Sequence, residues 1–240
     1  MDCFPGLVYI KIGEMRLSII IPVYNEEKTL AEIIRKVKKT NLSGIKKEII
    51  VVDDGSTDKT SQVVKNLRGV VKVSYRQNRG KGYAIRQGLK KASGDYVLIQ
   101  DADLEYDPED YQELVRPILK NQAEVVYGSR FLGPHKNMFF YNMVANKLLS
   151  LLTNILYNST LSDMEVGYKL FPRQLLKSLE LRENGFGFEP EATAKILKKR
   201  IRIYEVPISY SGREIKEGKK ITWKDGVRAV WVLLKYRLFD

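Results

Sequence analysis

An apolar run passes into an acidic pair at Tyr96-Val97-Leu98-Ile99-Gln100-Asp101-Ala102-Asp103. The apolar part predicts a buried strand, which places Asp101 and Asp103 at its C-terminal end. Two carboxylates one residue apart repel each other unless a cation lies between them. Mg²⁺ prefers such oxygen ligands and commonly shares itself with substrate phosphates. The stretch therefore predicts a strand end that binds a metal-bound phosphate compound.

A second acidic pair, Asp53 and Asp54, follows the apolar run IIVV at residues 49–52. Two acidic strand ends in one sheet favour a crevice for a metal-bound nucleotide. The alternative is that both pairs are ordinary acidic turns whose aspartates cap the next helix. That alternative explains either pair alone better than it explains both together.

Strand and helix patterns alternate through the first half of the chain. The predicted strands cover residues 17–23, 48–52, 70–75, 96–100 and 124–127, and the first predicted helix covers residues 26–39. Further helices are expected up to Leu67, from the Arg79-Gly80-Lys81-Gly82 turn to Lys91, and after Pro108. This alternation predicts an α/β fold with a mostly parallel sheet and helices on both faces.

The second half predicts two long helices of a different character. Residues 139–157 are rich in Leu, Phe, Met and Tyr and carry one charge, Lys147. Residues 223–239 form a basic amphipathic pattern. Its apolar residues are expected to face either the core or a membrane: Val227, Val230, Trp231, Leu234 and Leu238.

Composition narrows the function classes. One cysteine excludes an internal disulfide and a cysteine metal site, and one histidine excludes a multi-histidine metal site. The net charge is +12, and residues 195–240 hold thirteen Lys and Arg against five Asp and Glu, a net +8. This excess favours an anionic partner, which could be nucleic acid, a phospholipid surface or a phosphorylated substrate. No uninterrupted apolar run reaches the 18 or so residues that span a bilayer.

Cationic groups follow other strand ends. Lys81 lies in a glycine-containing turn at a helix N-terminus, which suits a phosphate contact. Arg130 ends the Gly-Ser-Arg triplet after the predicted strand 124–127. A guanidinium there suits forked phosphate binding at the same edge of the sheet.

Several strings together resemble family-2 glycosyltransferases of the GT-A fold. They are SIIIPVYNE at 18–26, DDGS at 53–56, NRGKG at 78–82, DAD at 101–103 and GSR at 128–130. Within these, the chain resembles dolichyl- or polyprenyl-phosphate sugar synthases, on the strings DMEVGYKLF at 163–171, GFE at 187–189 and EVPI at 205–208. The resemblance covers residues 15–240.

The resemblance implies a role for each matching residue. Those expected to hold the nucleotide sugar are Pro22, Tyr24, Glu26, Asp53, Asp54, Lys81 and Ala102. Those expected to ligate Mg²⁺ or Mn²⁺ are Asp101, Asp103 and Glu105, the last where the subgroup often has Gln. Asp103 and Arg130 are the catalytic candidates. Arg130 would bind the acceptor phosphate, with Arg213, Lys219 and Lys220 in place of a basic residue that the subgroup carries near Asn142 and Met143.

The expected reaction is inverting transfer of a hexose from a nucleotide sugar, of GDP-mannose or UDP-glucose type, to dolichyl or polyprenyl phosphate. Such a phosphate is already anionic near neutral pH, since its second pKa is about 6, so it needs no base. A hydroxyl acceptor, soluble or polysaccharide, would need one, and Asp163 and Glu189 are the candidates. A basic nucleic-acid-binding module is the third hypothesis, which the acidic strand ends disfavour because they repel a phosphate backbone.

The organisation expected from the sequence has three parts. Residues 1–14 are an N-terminal extension, 15–135 the nucleotide-sugar-binding core, and 136–240 an acceptor-binding and membrane-proximal part of the same catalytic domain. The expected partners are a nucleotide sugar, a lipid phosphate and a membrane surface, without nucleic acid, and a membrane protein is the alternative means of reaching the bilayer. The expected location is cytoplasmic, peripheral at the cytoplasmic face of a membrane.

Overall fold

The computed structural model describes residues 15–42, 44–213 and 223–239. The strands are β1 Arg16–Val23, β2 Lys46–Asp54, β3 Val71–Tyr75, β4 Tyr96–Ile99, β5 Val125–Ser129, β6 His135–Lys136, β7 Lys169–Pro172, β8 Ile203–Pro207 and β9 Tyr210–Ser211. The helices are α1 Leu30–Lys39, α2 Thr60–Asn66, α3 Lys81–Lys91, α4 Tyr111–Leu119, α5 Phe140–Tyr157, α6 Arg173–Ser178, α7 Phe188–Lys198 and α8 Trp223–Leu238.

Seven strands form one sheet in the order β3-β2-β1-β4-β7-β5-β8. All neighbours are parallel except β7, which runs antiparallel to both β4 and β5. A separate pair, β6 and β9, is parallel. The predicted α/β fold with a mostly parallel sheet flanked by helices is confirmed, whereas the antiparallel insertion of β7 was not predicted.

The central strands are buried because their sequences are nearly continuous apolar runs. Residues 17–21 of β1 and all of β4 are buried. Helix α1 packs its predicted apolar face, Leu30, Ile33, Ile34 and Val37, into the same core. Burial on both faces explains why these strands lack the polar alternation of a half-exposed sheet.

Two predicted boundaries near the site were wrong. The first helix begins at Leu30 rather than at residue 26, because Asn25 adopts a left-handed backbone conformation with φ of 52° and bonds to the loop after β2. The second strand continues to Asp54 rather than ending at Val52, because Asp53 and Asp54 stay paired with β3. Asp54 therefore ends a strand instead of opening a turn.

Helices α5, α7 and α8 enclose a second, smaller core. Its buried members are Tyr157, Leu161, Met164, Ala194, Leu197, Val232, Leu233 and Tyr236. The side of α8 that enters this core is therefore not the apolar stripe considered in the sequence. Val227, Trp231 and Leu238 are exposed instead, which excludes the inward alternative for these three residues.

Three predictions fall outside the described residues: the extension 1–14 and the acceptor-phosphate roles of Lys219 and Lys220. Among the helices that are described, none combines the length and apolar character needed to cross a bilayer.

Candidate active site

The carboxyl ends of β1, β2 and β4 meet at one edge of the sheet. Their register is fixed by long parallel pairings, with Val23 opposite Asp53 and Ile20 opposite Ile99. A cavity of about 720 Å³ opens there. Its walls include most of the predicted site residues: Pro22, Tyr24, Glu26, Asp54, Lys81, Asp101, Ala102, Asp103, Glu105, Arg130 and Arg213.

Asp53 is the described site residue that does not line this cavity. Its carboxylate is buried and accepts hydrogen bonds from the Ser56 backbone N–H at 3.0 Å and the Ser61 hydroxyl at 2.6 Å. Asp53 therefore holds the loop after β2 and the start of the following helix in place. Its nucleotide-binding role stays a prediction.

Asp54 fixes the turn that carries Lys81. Its two carboxylate oxygens accept the backbone N–H groups of Arg79 at 2.9 Å and Gly80 at 2.7 Å. Gly80 has φ of 96°, and a side chain there would approach the Asn184 carbonyl oxygen within 2.6 Å. Glycine is therefore required at position 80 for two reasons: other residues rarely adopt this backbone conformation, and a side chain would not fit beside Asn184.

Lys81 joins two acidic elements inside the cavity. Its ammonium lies 2.7 Å from Asp101 Oδ1 and 2.8 Å from Glu189 Oε1. Burial alone would lower the pKa of Lys81, but the two carboxylates outweigh it and the net change is a raised pKa. Lys81 therefore stays charged and neutralises one acid of the central pair.

Asp103 lies near two other candidate metal residues, Asp101 and Glu105. Burial, followed by the charges of Asp101 and Glu105, raises the pKa of Asp103 to about 7. Within the described residues, no three His, Cys, Asp or Glu side chains are grouped closely enough to hold a metal ion by themselves. The donor set still fits a hard divalent cation that completes its shell with phosphate oxygens, because crowded carboxylate oxygens are the ligands that it prefers.

Arg213 connects the donor-side strand end to this acidic loop. Its guanidinium lies 2.8 Å from Glu26 Oε2, and its Nε donates to the Asp103 carbonyl oxygen at 2.8 Å. Its backbone N–H donates to Glu105 Oε1 at 3.0 Å. Arg213 was predicted to bind the acceptor phosphate, but its hydrogen bonds to other described residues go to Glu26, Asp103 and Glu105, which were predicted for the donor and the metal.

Arg130 reaches the cavity from the end of β5, as predicted. Its guanidinium forms a forked pair with Asp163, with Nε to Oδ2 at 2.7 Å and Nη2 to Oδ1 at 2.6 Å. Asp163 is fully buried, and Glu205 accepts the neighbouring backbone N–H groups of Ser162 and Asp163. Asp163, one candidate base for a hydroxyl acceptor, is therefore an ion-pair partner in this structure.

Glu165 lines the cavity but was not assigned a role from the sequence. Burial, then the charge of Glu189, raises the pKa of Glu165 to about 8. Its Oε1 and Glu189 Oε2 are buried without a hydrogen-bond partner among the described residues. The sequence signal that could have revealed it is an acidic residue in a mostly apolar stretch, 164–171, whose other charged residue is Lys169.

The outer part of the cavity is formed by α5 and α8, and it is mainly apolar or uncharged. Its members include Met138, Phe139, Asn142, Ala145, Asn146, Leu149, Trp223, Gly226 and Ala229. Both helices also expose large apolar side chains outward: Phe140, Tyr141, Leu148, Leu151, Ile155, Trp223, Val227, Trp231 and Leu238. Scattered exposed apolar residues are ordinary, but this many on two contacting helices are characteristic of an interaction surface.

Comparison with known proteins identifies the class of this chain. The sequence profile of "Glycosyl transferase family 2" matches residues 18–180. The chain belongs to this family.

Among its relatives is the UDP-N-acetylglucosamine--dolichyl-phosphate N-acetylglucosaminyltransferase of Methanococcus voltae, 33% identical over 82% of this chain and 86% of that protein. Another is the dolichol-phosphate mannosyltransferase of Pyrococcus furiosus, 32% identical over 85% of this chain but 59% of that longer protein.

The fold is also that of solved glycosyltransferases. Glucosyl-3-phosphoglycerate synthase of Mycobacterium tuberculosis, in a complex with Mn²⁺, UDP and glucosyl-3-phosphoglycerate, superimposes with a TM-score of 0.73. The sequences are 25% identical, and the match covers 98% of this chain and 86% of the other. The predicted GT-A-like fold and the predicted glycosyltransferase activity are both confirmed.

Proposed function

We propose that the protein transfers a hexose from a nucleotide sugar to a polyprenyl or dolichyl phosphate, with inversion at the anomeric carbon. The observation that carries this proposal is the composition of the cavity along its length. One end is built from Asp101, Asp103 and Lys81, and the other from apolar surfaces of α5 and α8. A charged donor and an amphipathic acceptor suit these two ends.

The relatives that act on dolichyl phosphate support this reading of the acceptor. Arg130 is the residue that we assign to the acceptor phosphate, because it lines the same cavity as Asp101, Asp103 and the residues of α5. Its pairing with Asp163 fixes the direction of the guanidinium before any acceptor binds. A phosphate that arrives there meets a positioned cation rather than a mobile one.

In the proposed reaction, an acceptor phosphate oxygen attacks the anomeric carbon of the sugar. The bond from that carbon to the diphosphate oxygen breaks, and the nucleoside diphosphate leaves with the electron pair. No proton has to be removed from the acceptor, because its phosphate is anionic near neutral pH. This agrees with the state of Asp163 and Glu189, both of which are ion-paired.

A divalent cation held by Asp101 and Asp103, with Glu105 nearby, would supply charge neutralisation for the departing diphosphate. Mn²⁺ and UDP occupy the M. tuberculosis structure of similar fold, which supports this assignment. Lys81 would contribute a second positive charge at the same end of the cavity. Pro22, Tyr24, Glu26, Asp54 and Ala102 would surround the nucleotide.

The acceptor's location favours attachment at a membrane surface. A polyprenyl chain resides in the bilayer, so the enzyme must reach it there. The outward apolar residues of α5 and α8 lie on the helices that form the outer part of the cavity. We therefore assign membrane contact to these two helices, with their apolar side chains in the interfacial layer and the cavity opening toward the lipid.

The direct test is transfer of radiolabelled sugar from a panel of UDP- and GDP-sugars in detergent, with Mn²⁺ or Mg²⁺. Three acceptors should be compared: polyprenyl phosphate, the dephosphorylated polyprenol and 3-phosphoglycerate. Label in polyprenyl phosphate alone supports the proposal. Label in 3-phosphoglycerate but not in the lipid would instead assign a soluble phosphorylated acceptor, as the name of the M. tuberculosis enzyme indicates for that protein.

A further inference from the structure

Two buried carboxylate oxygens in the cavity lack hydrogen-bond partners among the described residues. They are Oε1 of Glu165 and Oε2 of Glu189. Glu189 is 3% exposed, and both residues line the cavity. Buried polar atoms are rarely left unpaired, because an unpaired one loses its hydration without replacement. A ligand that donates hydrogen bonds would satisfy both.

Glu189 lies close to Asp101. Its Oε1 shares the Lys81 ammonium with Asp101, at 2.8 and 2.7 Å. Glu165 belongs to the turn that packs directly under Asp101, since a side chain at Gly167 would overlap the Asp101 carboxylate. The two unpaired oxygens therefore border the end of the cavity assigned to the donor diphosphate. In a nucleotide sugar the hexose is attached to this diphosphate, so it would lie beside these oxygens.

The neighbouring cations already have other partners. Lys169 donates to the carbonyl oxygens of Met164 at 2.7 Å and Val166 at 2.6 Å. Arg130 is paired with Asp163. A second anion beside Glu165 and Glu189 would meet two carboxyl groups rather than a free cation, so this part of the cavity is unfavourable for a negatively charged sugar.

We propose that Glu165 and Glu189 form the subsite for the transferred sugar and select a neutral hexose, whose hydroxyl groups donate to their unpaired oxygens. Glu165 is the specificity-determining member, because Glu189 is also required to hold Lys81. A uronic acid, which carries a carboxylate at C6, is rejected. This inference rests on the proposed function and defines its donor class.

The test is calorimetric binding to the whole protein with Mn²⁺. UDP and GDP come first, to find the base that binds. The nucleoside diphosphate is then compared with its neutral sugar form, UDP-glucose or GDP-mannose, and UDP-glucose with UDP-glucuronate where UDP binds. The variants are Glu165→Gln and Glu165→Ala. Glu183→Gln is the control, because Glu183 is a buried carboxylate whose oxygens are bonded to Arg228 and Lys235.

We expect the wild-type protein to bind the neutral sugar nucleotide more tightly than the nucleoside diphosphate. The ratio of the nucleoside diphosphate's Kd to the sugar nucleotide's Kd measures this preference. Glu165→Ala should reduce that ratio by about fivefold to tenfold, which corresponds to about 1 to 1.4 kcal/mol. Its affinity for the nucleoside diphosphate should not change. Glu165→Gln keeps an acceptor oxygen and should retain more of the preference for the neutral sugar nucleotide than Glu165→Ala does, and Glu183→Gln should leave that preference unchanged.

Two results would overturn the subsite without touching the proposed function. One is an unchanged ratio in both Glu165 variants, and the other is equal weakening of sugar nucleotide and nucleoside diphosphate, which indicates a structural role. A wild-type protein that binds neither UDP nor GDP with Mn²⁺ would overturn the proposed function and the subsite together.

Discussion

The guanidinium of Arg130 and the carboxylate of Asp163 form a forked ion pair at the wall of the cavity, with distances of 2.7 and 2.6 Å. Asp163 is fully buried, whereas Arg130 keeps access to the cavity. Asp163 therefore has a structural role, whereas Arg130 can also contact a bound ligand. This division makes different predictions for the two residues.

Arg130→Ala should raise the KM for polyprenyl phosphate by tenfold or more and leave the Kd of the sugar nucleotide unchanged. It also leaves the buried carboxylate of Asp163 without its ion-pair partner, which typically lowers the free energy of unfolding by about 3–5 kcal/mol. The double variant Arg130→Ala/Asp163→Asn removes that cost and should recover thermal stability without recovering acceptor use. Steady-state kinetics and calorimetry separate the two effects. Lost donor affinity with an unchanged acceptor KM would move Arg130 to the donor site.

Asp103→Ala and Asp101→Ala should each lower transfer by at least about a hundredfold, because a cation that neutralises the leaving diphosphate is worth several kcal/mol. Circular dichroism should show an unchanged fold. Asp107→Ala is the control, since Asp107 follows the same strand but pairs with Lys36 outside the cavity. Turnover like that of the wild type in either central variant, at limiting Mn²⁺, would refute the metal assignment. Chelation by EDTA should abolish transfer, and added Mn²⁺ should restore it.

The exposed faces of α5 and α8 predict reversible membrane attachment. Val227→Glu and Trp231→Glu change side chains that are 60% and 59% exposed, so the fold should tolerate them. Both should reduce flotation with anionic liposomes and lipid glycosylation together, and leave turnover of a short-chain, water-soluble phosphate acceptor intact. Tyr204→Glu, on the exposed side of β8, is the matched control.

Charge contributes separately to this attachment, at about 1 kcal/mol at most for each basic residue near an anionic surface. Flotation should therefore weaken at high salt and in a Lys224→Glu variant. Arg228 and Lys235, two other basic residues of α8, both pair with Glu183 in this structure. If the protein does not float with liposomes at any ionic strength, yet glycosylates the soluble acceptor well, the hypothesis of peripheral membrane attachment is wrong.

The sequence predicted the sheet and the acidic centre well because both depend on local patterns. Continuous apolar runs ending in Asp54 or Asp101 specify buried strands and place carboxylates at their ends. The antiparallel β7 escaped prediction because its place between β4 and β5 depends on pairing with strands distant in sequence. The partners of Lys81 and Arg213 escaped for the same reason, since Glu189 and Glu26 lie 108 and 187 residues away along the chain. The positive charges of Lys81 and Arg213 predicted contacts with phosphate, but they could not indicate which carboxylates of the protein these side chains pair with.

The carboxyl group of Glu165, whose Oε1 is buried, predicts an unusual dependence of stability on pH. In the folded protein its pKa is raised from 4.5 to about 8, chiefly by burial. As the pH rises above about 4.5, the unfolded chain releases this proton before the folded protein does, so folding stability falls until about pH 8. Each unit of difference corresponds to about 1.4 kcal/mol.

Glu165→Gln removes this titration and keeps the size of the side chain. The variant should therefore unfold at a higher temperature than the wild type at pH 8, and the difference should shrink toward pH 5. Calorimetric scans of both proteins across this range provide the measurement, with Glu124→Gln as a control for an acid that is only partly buried. A constant difference between the two proteins from pH 5 to pH 8 would mean that Glu165 is ionised throughout, and that its buried oxygen is compensated by the cations around it.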